Sequence, residues 1–328
     1  MKKILTLMLM MMILMTGTLL FAAKPLERQG NELAAAGDGL YKAGKYKEAG
    51  MKYEAAMKKY QEAMKKDKLP LDSKIDNMLK NTMSCYYKAK EYQKTIDTFE
   101  LMQKRHPNDH KIIKKIVMVY EKKMGDVNKA IEALKSNDPQ GKKYYNNKKI
   151  GDLYVKLKDY KSALPYYLKA KKMKSDAKVI RKIATIYVKL KQPKNAISAY
   201  DDFIKTNPKK TQLYKVYSYL GKLYEDLNNK TKARLNYDKS LKIHYDRKIA
   251  MKLIQLNFEA KRYAQAKKLI STLLAKNTND TYALYYRAQI RYQEKDLKGA
   301  KADFEKVKDV PAFGASARQF IKSINSEL

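Results

Sequence analysis

The sequence predicts an all-α fold built from a repeated helix pair, and three observations support this prediction. Of the 328 residues, 45% are hydrophobic, which is enough to build a packed core. The chain has only 12 glycines and 8 prolines, too few for a fold of many short strands joined by turns. A small residue, most often alanine, recurs at separations of 33 to 37 residues after a first separation of 46. The recurring positions are Ala49, Thr95, Ala130, Ala163, Ala196, Ala233, Ala266 and Ala300.

The first residues have the composition of an export signal. Two lysines precede an almost wholly apolar run from Ile4 to Phe21, and two alanines follow it. We therefore predict a signal peptide over residues 1–23 and a short N-terminal linker over residues 24–30. The run is also long enough to begin to span a bilayer, so a retained anchor is the alternative. In both cases we expect an exported protein of the periplasm or cell envelope, with secretion also open.

Cys85 is the only cysteine, so the chain has no intramolecular disulfide and its stability must come from packing. It lies in a stretch of apolar periodicity, residues 75–88, where a cysteine usually behaves as a small buried hydrophobic residue. We therefore expect a buried thiol without chemical function.

Each repeat unit resembles the tetratricopeptide repeat, a helix–turn–helix of 34 residues. The small residue of the first helix is present as Gly37, Gly151, Ala184, Gly221 and Ala288, and the aromatic residue that follows as Tyr86, Tyr120, Tyr154, Tyr187 and Tyr224. Aromatic residues farther along the second helix are Tyr53, Phe99, Tyr167, Tyr200, Tyr237 and Phe304. The early tryptophan of the family is absent.

The resemblance implies a right-handed α-solenoid of about eight units over residues 31–311. A helix over residues 312–328 is expected to cap the last unit, because its apolar residues recur at helical spacing. The long first separation predicts a lengthened helix or loop between residues 60 and 70. The third unit has an extra residue near Met124 and Gly125, and its second helix is expected to end near Asp138.

The residues give no signature of an enzyme. The three histidines, His106, His110 and His244, are too few and too scattered for a catalytic triad or a two-histidine zinc site on a helix. We therefore predict no catalytic residue, no metal site, no cofactor and no small-molecule substrate.

Charge is the remaining functional signal, since the chain carries a formal net charge of +37. A lysine-rich composition that simply covers solvated faces is one reading of this charge. In the family that the repeats resemble, the first helices line a concave groove, and the same helix positions here are often basic or aromatic. The residues predicted to line this groove are Lys80, Tyr87, Lys88, Lys114, Lys122, Tyr145, Lys148, Lys156, Arg181, Lys189, Phe258, Tyr285 and Tyr292.

Two functions fit these features. The first is an exported, non-enzymatic scaffold that binds a protein or peptide partner in the cell envelope, with envelope assembly as one role that fits. An acidic partner segment would suit the basic groove. The alternative is a protein that binds a polyanion, such as lipopolysaccharide, anionic lipid, a cell-wall polymer or extracellular nucleic acid. Membrane contact is expected only if the leader is retained.

Overall fold

Seventeen α-helices and no strand make up the part of the chain that the structure, a computed structural model, describes: residues 25–328. The all-α prediction is confirmed. The helices are α1 (Pro25–Lys42), α2 (Tyr46–Asp67), α3 (Asp72–Lys88), α4 (Tyr92–Arg105), α5 (His110–Met118), α6 (Val127–Asn137), α7 (Tyr144–Lys156), α8 (Tyr160–Met173), α9 (Ala177–Lys189), α10 (Pro193–Lys205), α11 (Lys210–Asp226), α12 (Lys230–Ile243), α13 (Arg247–Glu259), α14 (Tyr263–Lys276), α15 (Thr281–Gln293), α16 (Leu297–Glu305) and α17 (Gly314–Glu327). The predicted signal peptide over residues 1–23 lies outside the described residues.

The helices form consecutive pairs, in which an odd-numbered first helix packs against the even-numbered second helix that follows it, as Gly151 of α7 does against Tyr167 of α8. The chain divides into two compact units inside α7. The first unit ends at Asn146 and the second covers Asn147–Leu328. Within each unit the second helix of one pair also packs against the first helix of the next pair, so neighbouring repeats share their apolar residues.

In every helix pair, the turn between the two helices contains one residue with a positive φ. In the turn before α8, Lys158 has φ of 61°, and the Asp159 side chain then accepts a hydrogen bond from the backbone N–H of Ser162 at 3.0 Å. This bond caps the first turn of the second helix. Equivalent turns hold Gly44, Lys90, Gly125, Lys191, Asn228, Lys261 and Lys295 with positive φ. Because lysine adopts this conformation at a steric cost, the packing of the two helices must impose it.

Close approach of the paired helices explains the small residues of the repeat. A Cβ on Gly151 would lie 2.9 Å from the ring of Tyr167, whose side chain is fully buried. The Tyr167 hydroxyl reaches past the glycine and donates a hydrogen bond to Asp152 at 2.5 Å. Ala163 and Ala170 on the second helix are fully buried as well. Gly151, Ala163 and Ala170 therefore allow the two helices to pack closely.

The irregular separations have distinct structural causes. Helix α2 has 22 residues and continues to Asp67, so the long first separation is a lengthened helix. In the third pair, α5 continues as a π-helix over Val119–Met124, which accommodates the extra residue without breaking the helix. Its partner α6 ends at Asn137, as the sequence indicates.

The N-terminal linker predicted over residues 24–30 is wrong from residue 25 onward, where the structure describes a helix. Helix α1 begins at Pro25, and its residues Leu26 and Leu33 pack against the core of the first unit. Proline is favoured in the first turn of a helix for two reasons. The N–H groups of that turn have no partner within the helix, so proline loses no hydrogen bond, and its φ is already helical. The residues up to 30 therefore belong to the first helix of the first pair.

The last pair is covered by α17, which begins two residues later than predicted. Ala317 and Ile324 of this helix are fully buried. Phe320 stacks on Phe304 of α16, with the ring centroids 4.8 Å apart and the planes within 4° of parallel. The helix therefore covers the apolar face that the last pair would otherwise expose.

Candidate functional site

The groove residues predicted in the first unit lie on its first helices, and several are already engaged by aromatic rings. The Lys88 ammonium lies 4.4 Å from the ring centroid of Tyr41 and 4.9 Å from that of Tyr46. It also donates a hydrogen bond to the Tyr41 hydroxyl at 2.5 Å, which raises the pKa of Lys88. Cation–π contacts of this kind stabilise a lysine without a carboxylate.

Three other predicted residues of this unit, Lys114, Tyr145 and Tyr87, also take part in cation–π contacts. Lys114 lies 4.9 Å from the ring centroid of Tyr145. Tyr87 is half-buried, and its ring receives the ammonium of Lys123 at 5.5 Å. Lys80 and Lys122 are exposed.

In the second unit, the carboxylate of Asp152 offsets part of the positive charge of the lysines around it. Its carboxylate accepts hydrogen bonds from the Tyr167 hydroxyl and from Lys182, and it lies 3.9 Å from the ammonium of Lys148. The charges of Lys148 and Lys182 are therefore balanced locally by the half-buried carboxylate of Asp152, which the buried Tyr167 also contacts. The predicted residues Lys156 and Lys189 are exposed at the ends of α7 and α9.

Arg181 is the predicted residue that lies in a distinct cavity of the second unit. The cavity, the Arg181 cleft, has a volume of about 420 Å³ and crosses the first helices α7, α9 and α11, with contributions from the second helices α8 and α10. Its lining residues are Val155, Tyr160, Arg181, Lys182, Thr185, Ile186, Tyr200, Thr211, Gln212, Lys215, Val216 and Tyr219.

The polar lining of the Arg181 cleft is basic. Arg181, Lys182 and Lys215 contribute three cations, and no carboxylate belongs to the lining. Lys182 is bound to Asp152 beside the cleft, whereas Arg181 forms no ion pair with any residue of the described chain. A cleft of this charge favours anionic groups of a ligand.

A tyrosine pair forms the apolar wall of the cleft. Tyr219 is 52% exposed and stacks on Tyr200, with the ring centroids 5.9 Å apart and the planes within 10°. Tyr200 is buried, and this burial raises the pKa of its hydroxyl. The stack holds the exposed ring of Tyr219 in a fixed orientation, which lowers the entropy lost when a ligand packs on it.

Sequence reasoning did not include Tyr219 or Tyr200 among the groove residues. Helix α11 contains Tyr214, Tyr217, Tyr219 and Tyr224, and helical spacing alone does not show which ring is exposed. Tyr219 is the most exposed of the four, and its stacking partner, Tyr200, belongs to the preceding pair. Helical periodicity places both tyrosines within their own helices, but only tertiary contact brings the two rings together.

The aromatic residues predicted for the C-terminal groove are half-buried, and each of them contacts another aromatic ring. Tyr285 stacks on Phe313 at 4.5 Å between ring centroids, and Tyr292 contacts Phe320 at 5.2 Å. Phe258 lies 5.8 Å from Tyr263 by the same measure. Tyr285 and Tyr292 therefore help to hold the C-terminal segment, a role that the sequence analysis did not assign to them.

Residues 25–328 contain neither a metal-binding cluster nor a membrane-spanning helix. No group of three or more histidine, cysteine, aspartate or glutamate side chains is arranged to hold a metal ion in this range. None of the helices in the same range is both long and apolar enough to cross a membrane.

Three family models described as tetratricopeptide repeat match residues 149–176, 179–210 and 251–312. No curated protein sequence matches the chain at a significant level.

Several solved structures are similar to this chain. The structure titled "Naa15/Naa10 bound to HypK-THB" is 16% identical, covers 75% of this chain and 38% of its own, and has a TM-score of 0.54. A tetratricopeptide repeat protein from Parabacteroides merdae is 12% identical over 76% of this chain and 98% of its own, with a TM-score of 0.40. The protein YrrB, titled as having an unusual peptide-binding site, is 15% identical over 59% and 100%, with a TM-score of 0.47. The first of these likenesses supports the fold.

Proposed function

We propose that this chain, in which tetratricopeptide repeat models match residues 149–176, 179–210 and 251–312, is a non-enzymatic scaffold that binds an acidic segment of a partner protein. Stacked helical repeats present extended surfaces on which a peptide can lie across several units. The observation that carries the proposal is the Arg181 cleft, which crosses three consecutive first helices and contains three cations without a carboxylate.

The two halves of the cleft would have different roles in binding. The Arg181 guanidinium can donate two parallel hydrogen bonds to one carboxylate of the partner, and the Lys215 ammonium can pair with a second. The exposed ring of Tyr219 offers a rigid apolar contact for a side chain between them. Lys182 adds to the positive potential but stays bound to Asp152.

A photocrosslinking experiment tests whether the cleft binds a protein. We replace Tyr219 by a benzophenone amino acid in cells that produce the protein and identify the crosslinked chain. The expected result is one specific partner whose crosslinked segment is rich in aspartate or glutamate. The same substitution at Lys298, an exposed residue outside the cleft, is the control. Equal yields from both positions would contradict the proposal.

The affinity of that partner segment then tests the roles of the cations. The double variant Arg181→Gln/Lys215→Gln is expected to bind it at least about tenfold more weakly, since two charge pairs are lost. The variant Lys298→Gln/Lys322→Gln removes the same charge from exposed positions and should change the affinity by less than about twofold. Equal losses in both variants would mean that net charge, not the cleft, determines binding.

We also propose that the protein acts outside the cytoplasm, in the cell envelope. The support is the sequence of residues 1–23, where two lysines precede a long apolar run and two alanines follow it. Cell fractionation with N-terminal sequencing of the purified protein is the test. A new N-terminus close to Lys24 in the envelope fraction is expected. A full-length protein in the cytoplasm would disprove export.

The net charge of +37 favours polyanion binding as a second candidate function. Such binding falls linearly with salt on logarithmic axes and depends on the number of cations instead of their positions. Heparin binding would then weaken equally in the Arg181→Gln/Lys215→Gln and Lys298→Gln/Lys322→Gln variants. A heparin affinity that hardly depends on salt would exclude this candidate.

A further inference from the structure

A second cleft in the Asn147–Leu328 unit lies between two second helices, α12 and α14, and not on the first helices of the Arg181 cleft. Its volume is about 450 Å³. The α12 lining runs from Arg234 to Lys242 and the α14 lining from Gln265 to Thr272. With a rise of 1.5 Å per residue, the cleft is about 12 Å long, so it can hold about two turns of a helix or a short extended segment.

Two arginines line this cleft and interact electrostatically, and neither is paired with a carboxylate of the described chain. Arg234 projects from α12, and Arg262 lies in the turn just before α14. Neither forms an ion pair with any residue between 25 and 328. Burial, together with the nearby charge of Arg262, lowers the pKa of Arg234. An anion between the two guanidinium groups would therefore relieve a repulsion that already exists in the free protein.

The one carboxylate of the lining does not neutralise the arginines. Asp238 pairs with Lys242 one turn farther along α12, at 2.7 Å. Lys268 on α14 adds a fourth cation to the lining. The cleft thus keeps an excess of positive charge, and an acidic ligand is the complementary one.

The floor and rim of the cleft are apolar. Leu253 is 3% exposed at the floor, and Leu241 and Leu269 are half-buried beside it. On the rim, Leu235 is 53% exposed next to Arg234. A leucine-sized side chain of a ligand would remove this apolar area from water while its carboxylate meets the arginines.

We propose that this cleft, the Arg234–Arg262 cleft, is a second docking site that binds a segment of a partner polypeptide with acidic and leucine-like residues. One carboxylate bridges Arg234 and Arg262, and an apolar side chain packs on Leu253. A second copy of this chain is a poor ligand, because copies with a net charge of +37 repel each other. A bilayer is a poor ligand too, since the buried floor residue lies between two helices and a flat surface does not reach it.

The Arg234–Arg262 cleft is distinct from the cleft of the proposed function, because its arginines lie on or next to second helices. The Arg181 cleft has its cations on α9 and α11, whereas this cleft is formed by α12, α14 and Asn257 and Leu253 of α13. Both sites can therefore be occupied at once. A scaffold with two such sites would hold two acidic segments at the same time.

Fluorescence of a label at the rim tests the proposal. We replace Leu235 by cysteine and attach an environment-sensitive dye, while the buried Cys85 stays unlabelled in the folded protein. The probe is a synthetic peptide of glutamate, leucine and alanine, compared with a peptide in which glutamine replaces glutamate. We expect a saturable change in fluorescence with the first peptide and an affinity at least about tenfold lower with the second.

Two double variants test whether Arg234 and Arg262 are responsible for the binding of the glutamate peptide. Arg234→Gln/Arg262→Gln should reduce the affinity for the glutamate peptide at least about tenfold, and Lys298→Gln/Lys322→Gln less than about twofold. Circular dichroism shows whether each variant is folded. If the double variant does not fold, the exposed single change Arg262→Gln replaces it, with a smaller but measurable loss expected.

Three outcomes would overturn the inference. The first is equal affinity of the arginine variant and the wild type. The second is a response only from a dye at Tyr219→Cys, lost in Arg181→Gln/Lys215→Gln, which would support the Arg181 cleft alone. The third is a response to phosphatidylglycerol vesicles without one to the peptide, which would identify a lipid ligand.

Discussion

The ring of Tyr53 lies directly against Gly37, on the facing helix of the first pair. A Cβ at Gly37 would be 2.8 Å from Cε1 of this ring, closer than real side chains approach. The Tyr53 hydroxyl donates a hydrogen bond to Asp38, the residue after the glycine, at 2.5 Å. The same approach of a ring to a glycine, with the same separation of 16 residues, joins Gly151 to Tyr167 and Gly221 to Tyr237, although the Tyr237 hydroxyl donates to Glu225. The glycine and the tyrosine therefore function as one packing unit that the repeats share.

Alanine at Gly37 should destabilise the protein by about 1–3 kcal/mol, because the added methyl group overpacks the buried ring. Gly39 lies two residues along the same helix, and a Cβ there would meet no atom within 4 Å. Gly39→Ala is therefore expected to stabilise by up to about 1 kcal/mol through helix propensity. Urea unfolding of the two variants measures both values. Equal effects would mean that the ring does not restrict position 37.

Glycine at Lys158 should stabilise the turn that precedes α8. Lys158 has φ of 61°, which is unfavourable for a residue with a Cβ, and we expect a gain of about 0.5–1 kcal/mol after the entropy of the unfolded chain is included. Lys156→Gly, at the end of α7, is the control and should destabilise by up to about 1 kcal/mol. Thermal unfolding followed by circular dichroism measures both changes. A loss of stability at Lys158 would contradict the expected strain.

Among the carboxylates of the last helix pair, we expect Asp303 to contribute most to the free energy of unfolding. It is 2% exposed and accepts two hydrogen bonds from Arg287 at 2.7 Å and one from Arg291 at 2.8 Å. Asp303→Asn leaves these guanidinium groups without their counter-charge, and because the arginines are about one-third exposed we expect a loss of about 2 kcal/mol. Asp309→Asn is the control.

The Asp309 carboxylate is 83% exposed and lies 3.6 Å from Arg318, so its removal should change the free energy of unfolding by less than about 0.5 kcal/mol. Chemical denaturation of both asparagine variants at neutral pH gives the comparison. Similar losses would show that burial of Asp303 does not make its ion pairs stronger.

Asp76 should make part of the stability depend on pH. Burial opposes ionisation of its carboxyl, but hydrogen bonds from Arg105 at 2.8 Å and with His106 at 3.0 Å outweigh it and lower the pKa of Asp76 below 3.8. The folded state therefore gains stability from this group at pH above 3.8, and loses it as the pH falls through the lowered value.

We expect Asp76→Asn to cost about 1 kcal/mol at pH 7 and progressively less below pH 3.8, since both proteins then carry a neutral side chain at this position. Urea unfolding over a pH series measures the difference between the two proteins. A difference that stays constant down to the lowest pH would exclude the contribution of Asp76 to acid sensitivity.

The Cys85 thiol should be unreactive in the native protein. It is fully buried, and this burial raises its pKa to about 11, so little thiolate forms at neutral pH. Reaction with a disulfide reagent is expected only through unfolding, at a rate that rises with urea. A rapid reaction without denaturant would show that the first unit opens locally around α3.

The sequence by itself determined the repeat, the helix pairs and the positions that must be small. A helix brings residues three and four apart to the same face, so small and aromatic residues at fixed offsets identify the contact between two helices. The same reasoning placed Arg181 on a first helix and the apolar residues of α17 on one face. These features are local in the sequence or recur with its period.

Tertiary structure decided which of the charged and aromatic side chains are available to a partner. Lys88 is held by two tyrosines, Tyr285 stacks on Phe313, and Tyr219 is presented by Tyr200 from the preceding pair. Each of these contacts joins residues from different helices, at separations that no helical period specifies. The Arg234–Arg262 pair arises in the same way, because α12 and the turn before α14 meet only when neighbouring repeats stack.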